Sequence, residues 1–289
     1  MQTSPACLAC LNKQARYTLG LIAPEPDRRD VIMAAVERYL TGLDPSLSPP
    51  ENATGMYRLI ASETGCPDPY LALKQESTAL ALALRGPIRE KIAASAEPLL
   101  AACKFAAAGN IIDYGAHHDF AVEATLERCL HRDFAINDFT RLRADLARAK
   151  KVLLLADNCG EVVLDGLLID QLGREVVVAV KQEPVINDVT LADLPPGFGR
   201  QYRVISNGTA CPGTPLRRCS EEFLRHFQDA DLIISKGQGN FETLSTVSAP
   251  LYFLLTVKCA VVADHLRELR ATEVGLGEMI LCKQKSGGR

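Results

Sequence analysis

"LLLADNCGEVVLDGLLIDQL", residues 153–172, is the stretch on which the reading of the fold turns. An apolar strand stops at Asp157-Asn158, turns through Cys159-Gly160 and restarts as a helix near Glu161. A turn with a helix cap accepts Asp-Asn-x-Gly readily. A metal or phosphate site at the end of a buried strand would call for the same residues. Both readings stand for this stretch alone.

Outward from it, the chain falls into two halves with different periods. Downstream, short β-branched and leucine runs alternate with helical segments: VLLLA (152–156), VVVAV (176–180), YRVIS (202–206), DLIIS (231–235) and LYFLLTV (251–257), with MILCK (279–283) as a further candidate. That alternation implies βαβ units on a parallel or mostly parallel sheet, so residues 149–289 are expected to form a three-layer α/β/α domain. Upstream, residues 1–148 read as an all-helical subdomain. Its expected helices are 5–23, 27–43, 51–64, 76–84, 87–108, 119–132 and 138–149, punctuated by prolines such as Pro24, Pro49, Pro67 and Pro87. Asp27 and Ser48 are the expected caps. The linker is weakly marked, which points to one body.

The chain has 289 residues, 47% of them hydrophobic, enough for a sizeable core, and there is no internal repeat or low-complexity segment. A net charge of −3 with dispersed lysine and arginine gives no electrostatic reason to expect nucleic acid or an anionic membrane. No apolar run approaches the ~20 residues that span a bilayer, and the start lacks a basic-then-apolar signal pattern, so a soluble cytoplasmic protein is expected. Its tail KQKSGGR reads as a frayed end. Of ten cysteines only Cys7 and Cys10 form a close pair, CLAC, in the helical half and away from the expected strand ends. Reduced, buried thiols are the expected state.

In open α/β sheets, ligands bind beyond the carboxyl ends of the strands. Here the residues after each strand are Asp157-Asn158 with Glu161, then Lys181 followed by Asn187-Asp188, then NGTACPGT, then Lys236-Gly237-Gln238-Gly239-Asn240, then Lys258. Each loop alone is an ordinary βα turn; their recurrence at one edge is the signal. Asp157, Asn158 and Asp188 offer hard oxygen donors suited to Mg²⁺ or Mn²⁺. The glycine loops, with Gly208, Thr209, Gly237 and Asn240, would let backbone approach an anion. Lys236 and Lys258 could meet a phosphate, or be solvated lysines at strand exits. In the helical half, Gly109-Asn110 is expected to break a long helix, and Asn110 and Asp113 are candidates to border the site. His117-His118 is an adjacent pair that cannot share one helix face.

Taken in order, CLACLNKQA, AAAGNIIDYGA, ADNCGEVVLD, VKQEPVINDVT, NGTACPGTPL, SKGQGNFETL and YFLLTVKCAVVA closely resemble the damage-control phosphatase family, first catalogued as domain of unknown function 89, in its prokaryotic branch with an N-terminal CxxC. The resemblance covers nearly the whole chain. It implies an all-helical subdomain on a Rossmann-like domain and a divalent metal (Mg²⁺, Mn²⁺, Co²⁺ or Ni²⁺) on Asp157, Asn158 and Asp188. It also implies a phosphate contact at Lys258 and, as substrate, a small phosphorylated metabolite such as a damaged sugar phosphate. Attack is open to a positioned water, oriented by Glu161, or to Asp157 itself; the commitment of Asp157 to the metal favours water. An S-adenosylmethionine-dependent carboxyl methyltransferase is the first rival, but it would want more glycine than ADNCGE carries. A non-catalytic metabolite- or metal-binding module using CLAC as a redox or zinc element is the second.

Overall fold

The change of period at residue 151 corresponds to the start of the parallel core of a seven-stranded sheet. The structure, a computed structural model, describes residues 1–115 and 122–284, without the side chains of 110–115 and 122–126. The strands are β1 (Ile136–Asn137), β2 (Lys151–Leu155), β3 (Glu175–Val180), β4 (Arg203–Ser206), β5 (Leu232–Lys236), β6 (Leu251–Thr256) and β7 (Met279–Lys283). Their order is β1-β7-β6-β5-β2-β3-β4. Strands β2 to β6 are mutually parallel, with Leu153 opposite Val177 on one side and Ile233 on the other. Strand β7 runs antiparallel to β6, and β1 pairs with it. The chain moves outward from β2 through β3 to β4, then returns to lay β5 on the other side of β2. The order therefore reverses at the β2/β5 boundary, where open sheets leave a crevice.

The helices are α1 (Pro5–Ile22), α2 (Pro26–Thr41), α3 (Pro49–Thr64), α4 (Leu71–Ala94), α5 (Pro98–Gly115), α6 (Val122–His131), α7 (Phe139–Arg148), α8 (Cys159–Leu172), α9 (Phe198–Gln201), α10 (Glu221–Asp229), α11 (Gln238–Leu244) and α12 (Ala260–Arg270). Alternate strand residues serve opposite faces, as a two-residue period requires. Val152, Leu154, Val178 and Ile234 pack with α4, α5 and α8; Leu153, Val177, Ile233 and Phe253 pack with α10, α11 and α12. Helix α8 is buried on nearly every side because α4 and α5 cover the face turned away from the sheet. That is why VVLDGLLIDQL carries no polar stripe. A separate small core ties α1, α2 and α3 together through Leu11, Leu19, Ile32, Val36, Met56 and Ile60.

Three local expectations are corrected. One helix, α4, runs through Pro87. The carbonyl that the proline ring frees belongs to Ala83, and both residues are exposed, so water can take it up. The helix ends instead at Ser95, whose hydroxyl accepts the Glu97 N–H before Pro98 opens α5. Asp27 lies inside the first turn of α2 rather than capping it, whereas Ser48 and Glu51 do form a capping box on α3. Finally, α5 continues past Gly109 to Gly115. Gly109 is not a break: a Cβ there would lie 2.7 Å from Glu161 Cγ, so glycine lets α5 pass directly against α8. The side chains of Asn110 and Asp113, the His117-His118 pair and residues 285–289 of the tail lie outside the described residues. Among the described residues no helix is long and apolar enough to cross a membrane.

Candidate active site

Asp157 and Asn158 leave β2 at the reversal point, and Asp188 reaches them from the loop after β3. The two loops are joined by backbone: Val189 N–H donates to Asp157 O at 2.9 Å, and Cys159 N–H donates to Asn187 O at 3.0 Å. The Asn158 amide donates to Asp157 Oδ2 at 3.2 Å and to Glu161 Oε1 at 2.7 Å. Asp157, Asn158, Glu161 and Asp188 are all buried. Gly237, after β5, closes over Asp157 with φ of +78°; a Cβ there would lie 2.1 Å from the Asp157 carboxylate. Only glycine combines that backbone with that approach.

The lysines that follow the strands fare differently. Lys236 is fully buried, and its ammonium donates to Glu161 Oε2 at 3.0 Å and Asp165 Oδ1 at 2.7 Å. Lys181, also buried, donates to Gly213 O at 2.7 Å and stands 3.4 Å from Asp188 Oδ2. Lys258 is exposed on the rim, yet its charge favours ionisation of both Asp157 and Asp188. Of the three lysines it is the one exposed at the surface.

The glycine-rich loops are packed against each other. A Cβ on Gly239 would lie 1.9 Å from Pro212 O, and one on Gly213 would lie 2.6 Å from Gly239 O. Asn240 is the pin between them: its amide donates to Lys236 O at 2.8 Å and Ala156 O at 3.2 Å, and its Oδ1 accepts from the Thr214 hydroxyl at 2.7 Å. In NGTACPGT four of the N–H groups go to side chains of the protein. Gly208 donates to Ser206 Oγ, Thr209 to Asn207 Oδ1, Cys211 to Thr209 Oγ1 and Thr214 to Thr243 Oγ1. The loop buttresses the edge rather than opening a row of donors toward an anion.

Electrostatics mark the same place. Burial, then the charges of Glu161 and Asp188, holds the Asp157 carboxyl well above the usual carboxylate range. Burial lifts Asp188 to about 6 against the pull of Lys181, and lifts Asp165 to about 6 against that of Lys236. Both oxygens of Asp188 are buried without a hydrogen-bond partner, Lys181 approaching without the alignment of one. Among the described residues no three His, Cys, Asp or Glu side chains form a metal cage by themselves. A cation here would therefore take two carboxylates, the Asn158 amide and oxygens from water or substrate, which is the habit of Mg²⁺-type sites. The donor set fits.

Sequence reasoning named neither Asp165 nor Lys181 among the site residues. Asp165 lies four residues after Glu161, on the same helix face, and Lys181 follows β3 as Lys236 and Lys258 follow theirs; both signals were present. The CLAC turn is closer to the site than its place in the helical half suggests. The Met1 ammonium donates to Glu242 O at 2.7 Å, and Cys7 acts on the thiol of Cys259, the neighbour of Lys258. All ten cysteines are free thiols.

Comparisons with known proteins point the same way. A model of the damage-control phosphatase ARMT1-like domain matches residues 3–274. A damage-control phosphatase of Pyrococcus horikoshii is 33% identical over 279 aligned positions, covering 92% of this chain and 95% of that protein. Another, of Archaeoglobus fulgidus, is 30% identical and covers 97% and 98%. The crystal structure of a DUF89 family protein from Pyrococcus horikoshii matches with a TM-score of 0.90 at 30% identity, over 99% of this chain and 100% of that one. With likeness in sequence and in fold running from end to end, the chain belongs to the damage-control phosphatase ARMT1-like family.

Proposed function

We propose that the chain is a metal-dependent phosphatase acting on phosphomonoesters of small metabolites, damaged or side-product sugar phosphates among them. The observation that carries this reading is a charge imbalance at the reversal point. Four buried carboxylates, Asp157, Glu161, Asp165 and Asp188, face two buried ammonium groups, Lys181 and Lys236. Fully ionised, they leave two negative charges, of which the exposed Lys258 offsets one from the rim, and a divalent cation would cancel the remainder and leave positive charge for a phosphoryl group. Relatives of Pyrococcus and Archaeoglobus that bear the name damage-control phosphatase support the reaction class.

Asp157, Asn158 and Asp188 are the residues that would hold the cation. When bound, it would supply charge stabilisation to a phosphoryl oxygen as negative charge develops. Lys258, on the rim, reaches the remaining oxygens. Glu161 has one oxygen on the Asn158 amide and the other on Lys236, so its part is to orient Asn158 rather than to activate water. Lys236 holds Glu161 in turn and acts at one remove from substrate. A water is the attacking group, because Asp157 is committed to the cation and roofed by Gly237.

The test is hydrolysis of p-nitrophenyl phosphate and a panel of sugar phosphates, after chelation and after adding back Mg²⁺, Mn²⁺, Co²⁺ or Ni²⁺. Chelation should abolish turnover and a divalent cation restore it. Asp157→Asn and Asp188→Asn should each lose at least about a hundredfold in turnover, on the order of 3 kcal/mol. Their circular dichroism should be unchanged and their metal binding weak by calorimetry. Full activity after exhaustive chelation, or wild-type turnover in Asp157→Asn, would overturn the reading.

A further inference from the structure

Lys258 stands at the mouth of the site on a short connection between β6 and α12, with no secondary structure of its own. Val257, just before Lys258, is tied by backbone bonds to Gly277 and Glu278, and Lys258 itself is held by a side chain from a different strand end. Gln238, the first residue of α11, accepts the Lys258 backbone N–H on its Oε1 at 2.9 Å. A backbone N–H can only donate, so the orientation of the Gln238 amide is settled: oxygen to Lys258, nitrogen away from it. Its Nε2 donates to Glu242 Oε1 at 2.9 Å and lies 3.5 Å from Cys259 Sγ. Glu242 is one helical turn further along α11, buried, and so on the same face as Gln238.

Glu242 is an unusual group to bury for this purpose alone. Burial raises its carboxyl to about 7, against the pull of the Gln238 amide, the Met1 ammonium and the Lys258 ammonium. The Cys259 and Cys10 thiols feel its charge in turn. The charge of Lys258 thus acts on two acidic groups at once, Glu242 and the pair Asp157 and Asp188. A lysine stem alone has several rotatable bonds and little intrinsic preference between them.

We propose that Gln238 and Glu242 are the positioning residues of Lys258, fixing the backbone from which its ammonium reaches the phosphoryl oxygens. The proposal rests on the phosphatase reading above. It assigns a task to the glutamine and glutamate of KGQGNFE, which touch neither the cation ligands nor the reacting atoms.

The chemistry supplies its own control, because donor and acceptor can be exchanged. Gln238→Glu keeps an oxygen toward the Lys258 N–H but sets a carboxylate against Glu242. Glu242→Gln exchanges the charged acceptor for an amide oxygen, a weaker partner whose own NH2 can turn toward Gln238 instead. The double variant Gln238→Glu/Glu242→Gln restores one donor facing one acceptor with the same shape and net charge. Mn²⁺-loaded protein is titrated with inorganic phosphate by calorimetry, beside steady-state hydrolysis of p-nitrophenyl phosphate. Gln238→Glu should weaken phosphate binding and raise KM about tenfold and Glu242→Gln about threefold, with kcat changed less than threefold and Mn²⁺ affinity unaltered in both. The exchanged pair should return phosphate affinity and KM to within about threefold of wild type. Wild-type KM in Gln238→Glu, or an exchanged pair no better than Gln238→Glu, would refute the proposal while leaving the phosphatase reading intact. Failure of the wild-type chain itself to bind phosphate would remove that reading, and this inference with it.

Discussion

Replacing Lys236 by methionine tests whether its ammonium serves the fold or the substrate. Methionine keeps the apolar stem within β5 and deletes the group that contacts Glu161 at 3.0 Å and Asp165 at 2.7 Å. Removing one partner of a buried ion pair costs about 3–5 kcal/mol, because the other is left uncompensated. Here two carboxylates lose the same partner, and one oxygen of Asp165 already lacks a hydrogen bond. For a chain of this size that loss corresponds to a fall in Tm on the order of 10 °C. The effect has a pH signature. The Asp165 carboxyl is raised to about 6 with Lys236 beside it and rises further once that ammonium is gone, so protonation relieves most of the repulsion at pH 5 and less of it at pH 8. Thermal melts followed by circular dichroism should show a large loss at pH 8 and a smaller one at pH 5. Lys236→Met/Asp165→Asn should recover part of the loss at pH 8. A Lys236→Met variant that melts with wild type at both pH values, and differs only in KM, would put the ammonium on the substrate instead.

Three further outcomes are expected. Gly237→Ala combines positive-φ strain with a methyl group driven into the Asp157 carboxylate; displacing a cation ligand by about 1 Å should cost roughly a hundredfold in turnover while the protein still folds, and wild-type metal affinity by calorimetry would contradict that geometry. In chelated protein, Asp157, Asp165, Asp188 and Glu242 all have folded-state values raised above their unfolded ones. The stability they allow is complete below the ordinary carboxylate range and is lost as pH rises through about 6 to 7; urea titrations at pH 5 and 8 should show the fall, and saturating Mn²⁺ should reverse it by compensating the ionised carboxylates. Finally, Cys7→Ser/Cys10→Ser should leave turnover largely intact, because the CLAC thiols approach Cys259 but none of the cation ligands; stoichiometric zinc lost together with activity in that variant would assign CLAC a metal role.

Much of this was legible in the sequence because it depends on local physics. The five strands of the parallel core and β7 were readable from apolar runs of strand length, and the helices from their period. The two-residue β1 was not, since so short a segment has no period of its own and exists only through its pairing with β7. Helix α4 crossing Pro87 and α5 crossing Gly109 went unread for a related reason. Both residues carry a local cost whose outcome depends on where the fold places them, solvent access at Ala83 in one case and the close passage of Glu161, 52 residues on, in the other. The placing of polar residues at one sheet edge followed from the rule for parallel strands, so Asp157, Asn158 and Asp188 could be named together before any contact was known.

What the sequence could not rank was the lysines. Lys181, Lys236 and Lys258 each follow an apolar run and look alike in one dimension. Tertiary packing separates them: α8 brings Glu161 and Asp165 over Lys236, the NGTACPGT loop brings Gly213 O to Lys181, and only Lys258 is left on the rim. The partners lie 32 to 75 residues apart, and their meeting depends on which side of the sheet each crossover takes. A lysine at the surface keeps its ammonium within reach of water, whereas one carried into the core must find polar partners there, and the sequence alone does not say which lysine the fold will bury.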